Sequence, residues 1–354
     1  RTNGAKSGIM PETKREFVSQ EAADPKERLF RVEKYLLSIG LIVAGLAVGQ
    51  GLRRLVSAGR VDKPERLGRW LRLMQKTAIL GISPLVTLGA FWGVTLADAR
   101  YAVLPFLGLG ALVLGGALGL LASRLLRHGR PQAGSMFCAA SFTNLGSFGG
   151  LISFLFFGEV GYVVVSLYRL LEELAYFLVG FPIAKRYGMQ SDDRGGHPLV
   201  KLLTDPYILV YFVCIAGGVA LRFSGWTRPA FYPGLNAILV PVVSLILVVT
   251  TGYNMKPGAI RGYWKECTAV AGIKFVATPV VVTGLAWLAG LGAVEGGMAL
   301  RIVFVLAAMP PAFYSLIPPQ IYGLDTDLAN SCWLFNSGIF LALIPLLYIG
   351  QGLL

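Results

Sequence analysis

Acidic residues are scarce in this chain and histidine is nearly absent: 354 residues hold 19 Asp and Glu and two His, His128 and His197. Neither HExxH nor GxSxG occurs, and no carboxylate cluster has metal-ligand spacing, so an enzyme is not expected and no cofactor is called for. ATP-binding loops are also missing, which argues against direct drive by ATP. The four cysteines, Cys138, Cys214, Cys267 and Cys332, stand far apart without a CxxC pair. Packing is the role expected of them. Charge of either sign makes up only 14% of the chain, too little to solubilise a chain that is 55% hydrophobic.

What is there instead is apolar sequence, with 44 glycines and a mean hydropathy of +0.64. About 20 apolar residues cross a hydrocarbon core about 30 Å thick. Ten such stretches fall near 35–55, 75–96, 101–123, 135–157, 160–183, 204–223, 233–255, 272–292, 301–321 and 328–349. The expected fold is therefore an all-α polytopic membrane protein of ten transmembrane helices. Its expected parts are a polar tail (1–34), a first set of five helices (35–188), a cytoplasmic linker (189–201) and a second set of five (202–354). The tail reads as disordered or loosely attached over Arg1–Asp24, with an interfacial turn at Lys26–Lys34. The opening Arg1 and the lack of a signal-peptide pattern suggest a piece of a longer chain or a trimmed one.

A formal charge of +13 would point to nucleic acid in a soluble protein, but here the basic residues sit in short loops between spans. Arg53, Arg54, Arg60, Lys63, Arg66, Arg69, Arg72 and Lys76 lie between spans one and two, and smaller groups follow spans three, five and seven. The opposite loops hold only Arg100, Arg222, Arg228 and Arg301. The positive-inside rule puts the first set in the cytoplasm and both termini outside, in a cell (inner or plasma) membrane. The lipid bilayer, not nucleic acid, is the expected partner.

Two of the stretches are interrupted. Thr143, Asn144, Leu145 and Gly146 break the run Met136–Phe157, and Pro310-Pro311, followed by Ala312, breaks the run Val303–Tyr322. Unpaired backbone is tolerated at membrane depth only inside protein or beside a cavity, and a matched pair of breaks in two halves points to a transporter site. Splitting the chain near Ser191 aligns Pro84 with Pro241, Pro105 with Pro279, and the two breaks, each six residues after a phenylalanine (Phe137, Phe304). Five spans per half make such a repeat inverted. The half-helix after each break would present N–H groups and a dipole that favour an anion. The plainer alternative is a kinked structural helix with no ligand.

The run Phe142-Thr143-Asn144-Leu145-Gly146-Ser147-Phe148-Gly149 with Phe157-Gly158, and the run Ala307-Ala308-Met309-Pro310-Pro311-Ala312 with Tyr322-Gly323-Leu324-Asp325, resemble the two crossover signatures of the auxin efflux carrier family. That family includes plant auxin carriers and bacterial organic-acid permeases. The likeness runs from about Tyr35 to Ile349 and includes Gly51-Leu52-Arg53-Arg54; Leu151 stands where the family pattern carries a proline. The resemblance implies crossed broken helices four and nine, a scaffold of spans one, two, six and seven, a mobile remainder, a homodimer, and small organic anions as substrates.

Span five carries Arg169, Glu172 and Glu173 at helical spacing, so one carboxylate is expected to pair with Arg169. The other is then a candidate for proton or sodium coupling, against the plain reading of a structural ion pair. In span ten Asn336 is the better candidate for the pocket, with interhelical hydrogen bonding as the alternative. Thr87 and Ser244 are candidates for the scaffold side, and Asp205-Pro206 fits a helix start. The expected function is a secondary transporter or facilitator of small organic anions, carboxylates or auxin-like acids, moving by an elevator-like shift. A sodium symporter similar to bile-acid carriers and a non-transporting sensor or scaffold are the alternatives.

Overall fold

A computed structural model describes residues 25–94, 98–188, 206–254 and 262–351. Expectations for Arg1–Asp24, for Asp205 and for the whole linker (189–201) fall outside these residues. Among the described residues there is no strand, and six helices are long and apolar enough to cross a membrane; the shorter apolar helix Leu209–Phe223 adds to them. This is an all-α architecture suited to an integral membrane protein. Its outer surface agrees: Phe106 and Leu125 on one helix and Val276, Val280 and Trp287 on another are exposed, the reverse of a soluble fold.

The helices in chain order are α1 (Pro25–Ser57), α2 (Pro64–Gly93), α3 (Leu104–Leu125), α4 (Arg130–Ser141), α5 (Gly150–Tyr168), α6 (172–187), α7 (Pro206–Phe223), α8 (Tyr232–Asn254), α9 (Trp264–Leu288), α10 (Met298–Ala307), α11 (Ile317–Tyr322) and α12 (Thr326–Gln351). The first begins at Pro25, so Lys26–Lys34 is helical where an interfacial turn was expected. Proline suits a first helical turn, where its missing N–H has no partner to lose. One pass of the chain reverses at Gly158, whose φ of 66° and ψ of −149° lie where only glycine is comfortable; this divides α5 into two legs.

Among the described residues four π turns occur in the helices, at Ala78–Ile82, Leu145–Gly149, Tyr176–Gly180 and Ile273–Ala277. The prolines paired across the two halves take different local structures. Pro84 follows a π turn while Pro241 sits inside regular helix, and Pro105 opens α3 while Pro279 lies past the middle of α9.

Helix α1 packs along α8, and α7 along α2; α3 packs along α4, and α9 against α10 and α12. The α3–α4 contact sets the position of the first break. A Cβ on Gly115 would stand 2.3 Å from the Ala140 carbonyl oxygen, and one on Gly119 2.8 Å from that of Met136. Small residues are what let helices approach this closely in lipid. At the other side of the break Leu145, Phe148 and Ile152 enter a core with Leu300, Val303 and Leu306, where the rings of Phe148 and Phe340 stack at 5.5 Å. Outside the apolar zone, Arg100 joins two loops by donating to Asp98 (2.8 Å) and to the Gly290 carbonyl (2.9 Å). Its hydrogen bond holds the Asp98 carboxyl down to about 2.

Gly115→Val should force α4 away from α3 and destabilise the protein by about 1–3 kcal/mol. Thermal unfolding in detergent checks this; an unchanged midpoint would mean the contact is not tight.

Candidate functional site

Helix α4 stops at Ser141 because Phe142 turns extended (φ −74°, ψ 128°), and the freed segment finds its partner in the other break. Asn144 N donates to the Pro310 carbonyl (2.8 Å) and Ala312 N to the Phe142 carbonyl (3.0 Å), with Thr143 opposite Pro311 in an isolated antiparallel bridge. Pro311 thus occupies the one register position that requires no N–H from it. The backbone freed by interrupting two helices is in this way paired with itself, which the apolar surroundings demand.

Side chains complete the pairing. Thr143 N donates to the Tyr176 hydroxyl (3.1 Å). Asn144 Oδ1 caps the next helical segment, accepting from Ser147 N (3.3 Å) and Ser147 Oγ (2.8 Å). Asn144 Nδ2 is buried without a partner among the described residues, a costly arrangement unless a ligand or water fills it. On the α4 side, Lys274 Nζ donates to the Ser141 carbonyl (3.1 Å) and to Thr143 Oγ1 (2.7 Å), with 1% of the residue exposed. A cation there also meets the negative end of the α4 dipole.

A third interruption lies beside the first two. Span five is not continuous: the helix ends at Tyr168 and restarts at Glu172. Arg169 Nε pairs with Glu172 Oε2 at 3.1 Å across this turn. Glu172 is buried and also accepts from the Tyr176 hydroxyl at 2.6 Å. That hydroxyl has one proton, and the short bond to a carboxylate claims it over the Thr143 carbonyl at 3.2 Å. Lys274, Thr143, Tyr176, Glu172 and Arg169 therefore form one connected network at the crossing.

A cavity of about 180 Å³ opens beside it. Thr143, Asn144, Leu145, Gly146 and Ala312 line it, as do Arg169 and Glu172. Its other wall is formed by α2, α7 and α8, through Ser83, Tyr211, Ser244 and Thr251 among others. Gly146 brings the guanidinium close, since a Cβ there would stand 3.2 Å from Arg169 Nη1; Arg169 also lies 5.8 Å over the Tyr211 ring.

Not every expected residue gathers at this cavity. Pro310 and Pro311 are buried within the bridge and do not line it. Asn336 lies deep in α12, its Nδ2 donating to the Cys332 carbonyl (2.7 Å) and the Cys267 carbonyl (3.3 Å), outside the lining. Thr87 is buried away from the lining, whereas Ser244 belongs to it. The Glu173 side chain falls outside the described residues. Lys274 and Tyr176 are the residues that sequence reasoning missed. A lysine two residues inside an apolar run was itself a signal, because charge at membrane depth is retained for a partner or a function.

No known family's sequence model matches the chain, and no curated protein matches it.

Lys274→Met leaves the Ser141 carbonyl and the Thr143 hydroxyl without their charged donor and should cost about 1–3 kcal/mol, with Lys274→Arg losing less. A thermal midpoint in Lys274→Met equal to wild type would show that the ammonium contributes nothing to the crossing.

Proposed function

We propose that the chain is a secondary carrier or facilitator of small organic anions, with its site where the two interrupted helices cross. The observation that carries this reading is the Thr143–Pro311 bridge beside a cavity that holds the Arg169 guanidinium and the unpartnered Asn144 amide. A carboxylate fits this lining: the guanidinium supplies positive charge, the amide supplies a donor, and the capped helix start adds a dipole of favourable sign. Hydroxyls of Ser244 and Thr251 on the far wall would meet polar atoms on the rest of the solute.

In the ten-span reading, α4 and the first leg of α5 form the fourth span, its second leg and α6 the fifth, and α10 and α11 the ninth. This is the organisation of the auxin efflux carrier family, which the two crossover runs resemble, and it supports a homodimer with both termini outside the cytoplasm. The packing of α1 on α8 and of α7 on α2 supports a scaffold against which the crossing unit slides. Glu159, at the start of the second leg of α5, accepts two hydrogen bonds from Arg228 (2.7 and 2.6 Å) and one from Asn236 of α8 (2.8 Å). An elevator shift must break these bonds, so they hold one end state. Glu172, paired to Arg169 beside the solute, is the carboxylate that would take up a proton as a solute anion draws the guanidinium away.

A thermal-shift screen of carboxylates and auxin-like acids on wild type and Asn144→Ala tests the site. The expected result is a stabilising acid that loses its effect in the variant and is taken up by proteoliposomes. Failure of every acid to bind or cross removes the reading; dependence of uptake on a sodium gradient would select the symporter, and binding without flux a sensor.

Two further outcomes follow from the movement and the carboxylate. A Glu159→Cys/Asn236→Cys crosslink should abolish uptake and restore it on reduction, and uptake through the crosslinked protein contradicts the elevator. Glu172→Gln should alter the pH profile of uptake, and an unaltered profile takes Glu172 out of coupling.

A further inference from the structure

Helix α2 is longer than a membrane is thick. Its 30 residues from Pro64 to Gly93 extend about 45 Å at 1.5 Å per residue, against a hydrocarbon core of about 30 Å. The surplus of about 15 Å, roughly ten residues, falls at the Pro64 end, because that is where the charges are. Between Arg60 and Lys76 stand six basic residues and two acidic ones, Asp62 and Glu65. Counted from Pro64, that surplus ends at Leu73, which would put Pro64–Leu73 at the depth of the lipid headgroups and Met74–Thr77 at their inner edge.

Its side chains are sorted by face. Leu71 is buried and Leu67 and Gln75 are half-buried, at i, i+4 and i+8 on the side that meets the rest of the protein. The opposite side is exposed. On it Arg66, Arg69, Arg72 and Lys76 follow one another at intervals of three or four, all exposed, and form one stripe. Beside that stripe run Trp70, Leu73 and Met74, with 63%, 53% and 45% of their surface open. Tryptophan, leucine and methionine side chains next to a basic stripe match a bilayer boundary, where acyl chains take the apolar groups and phosphates the basic ones.

We propose that the exposed face of Pro64–Thr77 binds anionic phospholipid headgroups, holding phosphate or phosphatidylglycerol-type charge on Arg66, Arg69 and Arg72 with the acyl chains against Trp70 and Met74. Charge complementarity selects this occupant: each basic residue at the surface of an anionic leaflet favours it about fivefold, and a zwitterionic lipid offers no such gain. The site is separate from the transport reading and stands whether or not the chain moves a solute. Because the same helix supplies Gln75 to the cavity wall, lipid bound on its outer face would steady one wall of the cavity.

The test uses the full chain reconstituted in vesicles of phosphatidylcholine, with a fraction of brominated phosphatidylglycerol or brominated phosphatidylcholine. The Trp70 signal is the difference between wild type and Trp70→Phe. Brominated phosphatidylglycerol should quench that signal with an apparent affinity about fivefold or more above brominated phosphatidylcholine. The ratio should fall to about one in Arg66→Gln/Arg69→Gln/Arg72→Gln and decline as salt is raised. Should the triple variant not fold, Arg69→Gln alone should give an intermediate ratio. Equal quenching by the two lipids in wild type, or a ratio that the charge-removing variants leave unchanged, overturns the proposal.

Discussion

Everything at the centre of this protein depends on one requirement: backbone groups released by breaking a helix inside an apolar environment must be paired again. The two breaks meet it together. Two hydrogen bonds, Asn144 to Pro310 and Ala312 to Phe142, close a single antiparallel pair that neither segment could form alone. Unpaired, each such group would cost several kcal/mol in hydrocarbon, so the two helices are interrupted jointly or not at all. The cavity is a consequence, since two chains running extended for three residues cannot fill the volume of the helical turns they replace.

The charges around the crossing follow from the same requirement. Helix α4 ends with open carbonyls, and Lys274 answers them with a cation. That buried ammonium needs a counter-charge, and Glu172 supplies one in the same network. Glu172 in turn is held by Arg169 and Tyr176. A buried charge left alone is expensive, whereas a connected set with its hydrogen bonds complete is tolerable. Of the two cations in the network, Arg169 is the one that lines the cavity, and it does so while tied to a carboxylate. Under the proposed function, a solute anion would meet a guanidinium already held by Glu172, and binding would not need to order it.

Both interruptions could be read in the sequence because the residues that make them are unambiguous in an apolar run: a Pro-Pro pair cannot continue a helix, and Asn144, two residues before Gly146, is a cap in search of one. The Arg169–Glu172 pair could be read for the same reason, as two opposite charges three positions apart in a run of leucines. Periodicity did not reveal the turn between them. Nothing in Tyr168-Arg169-Leu170-Leu171 breaks a helix by propensity, so the interruption is imposed by tertiary packing; Gly108 of α3, where a Cβ would stand 1.9 Å from the Tyr168 carbonyl oxygen, brings another helix directly against it. The proline pairs across the halves were visible as letters but not as structure, because proline kinks, caps or precedes a π turn according to what packs around it. Asn336 shows the same limit: depth in a span says that a polar side chain needs a partner, not whether that partner is a solute or a neighbouring carbonyl.

Proline has a further part in building the site. The π turns at Ala78–Ile82, Tyr176–Gly180 and Ile273–Ala277 each end two residues before a proline, Pro84, Pro182 and Pro279. A proline ring collides with the carbonyl four residues earlier and offers it no N–H. Widening the turn relieves both problems: Ser83, Phe181 and Thr278 donate to carbonyls five residues back, those of Ala78, Tyr176 and Ile273. The extra residue in each wide turn also rotates the preceding helix by about 100° relative to a regular one. Tyr176 and Lys274 lie within two of these turns, and both bond Thr143. Pro241 and Pro345 stand in helix without a wide turn, so the ring alone does not dictate the outcome. Where the wide turn forms, it sets the phase at which a polar side chain leaves its helix. Two prolines remote from the cavity thereby aim the hydroxyl and the ammonium that hold the first break in place.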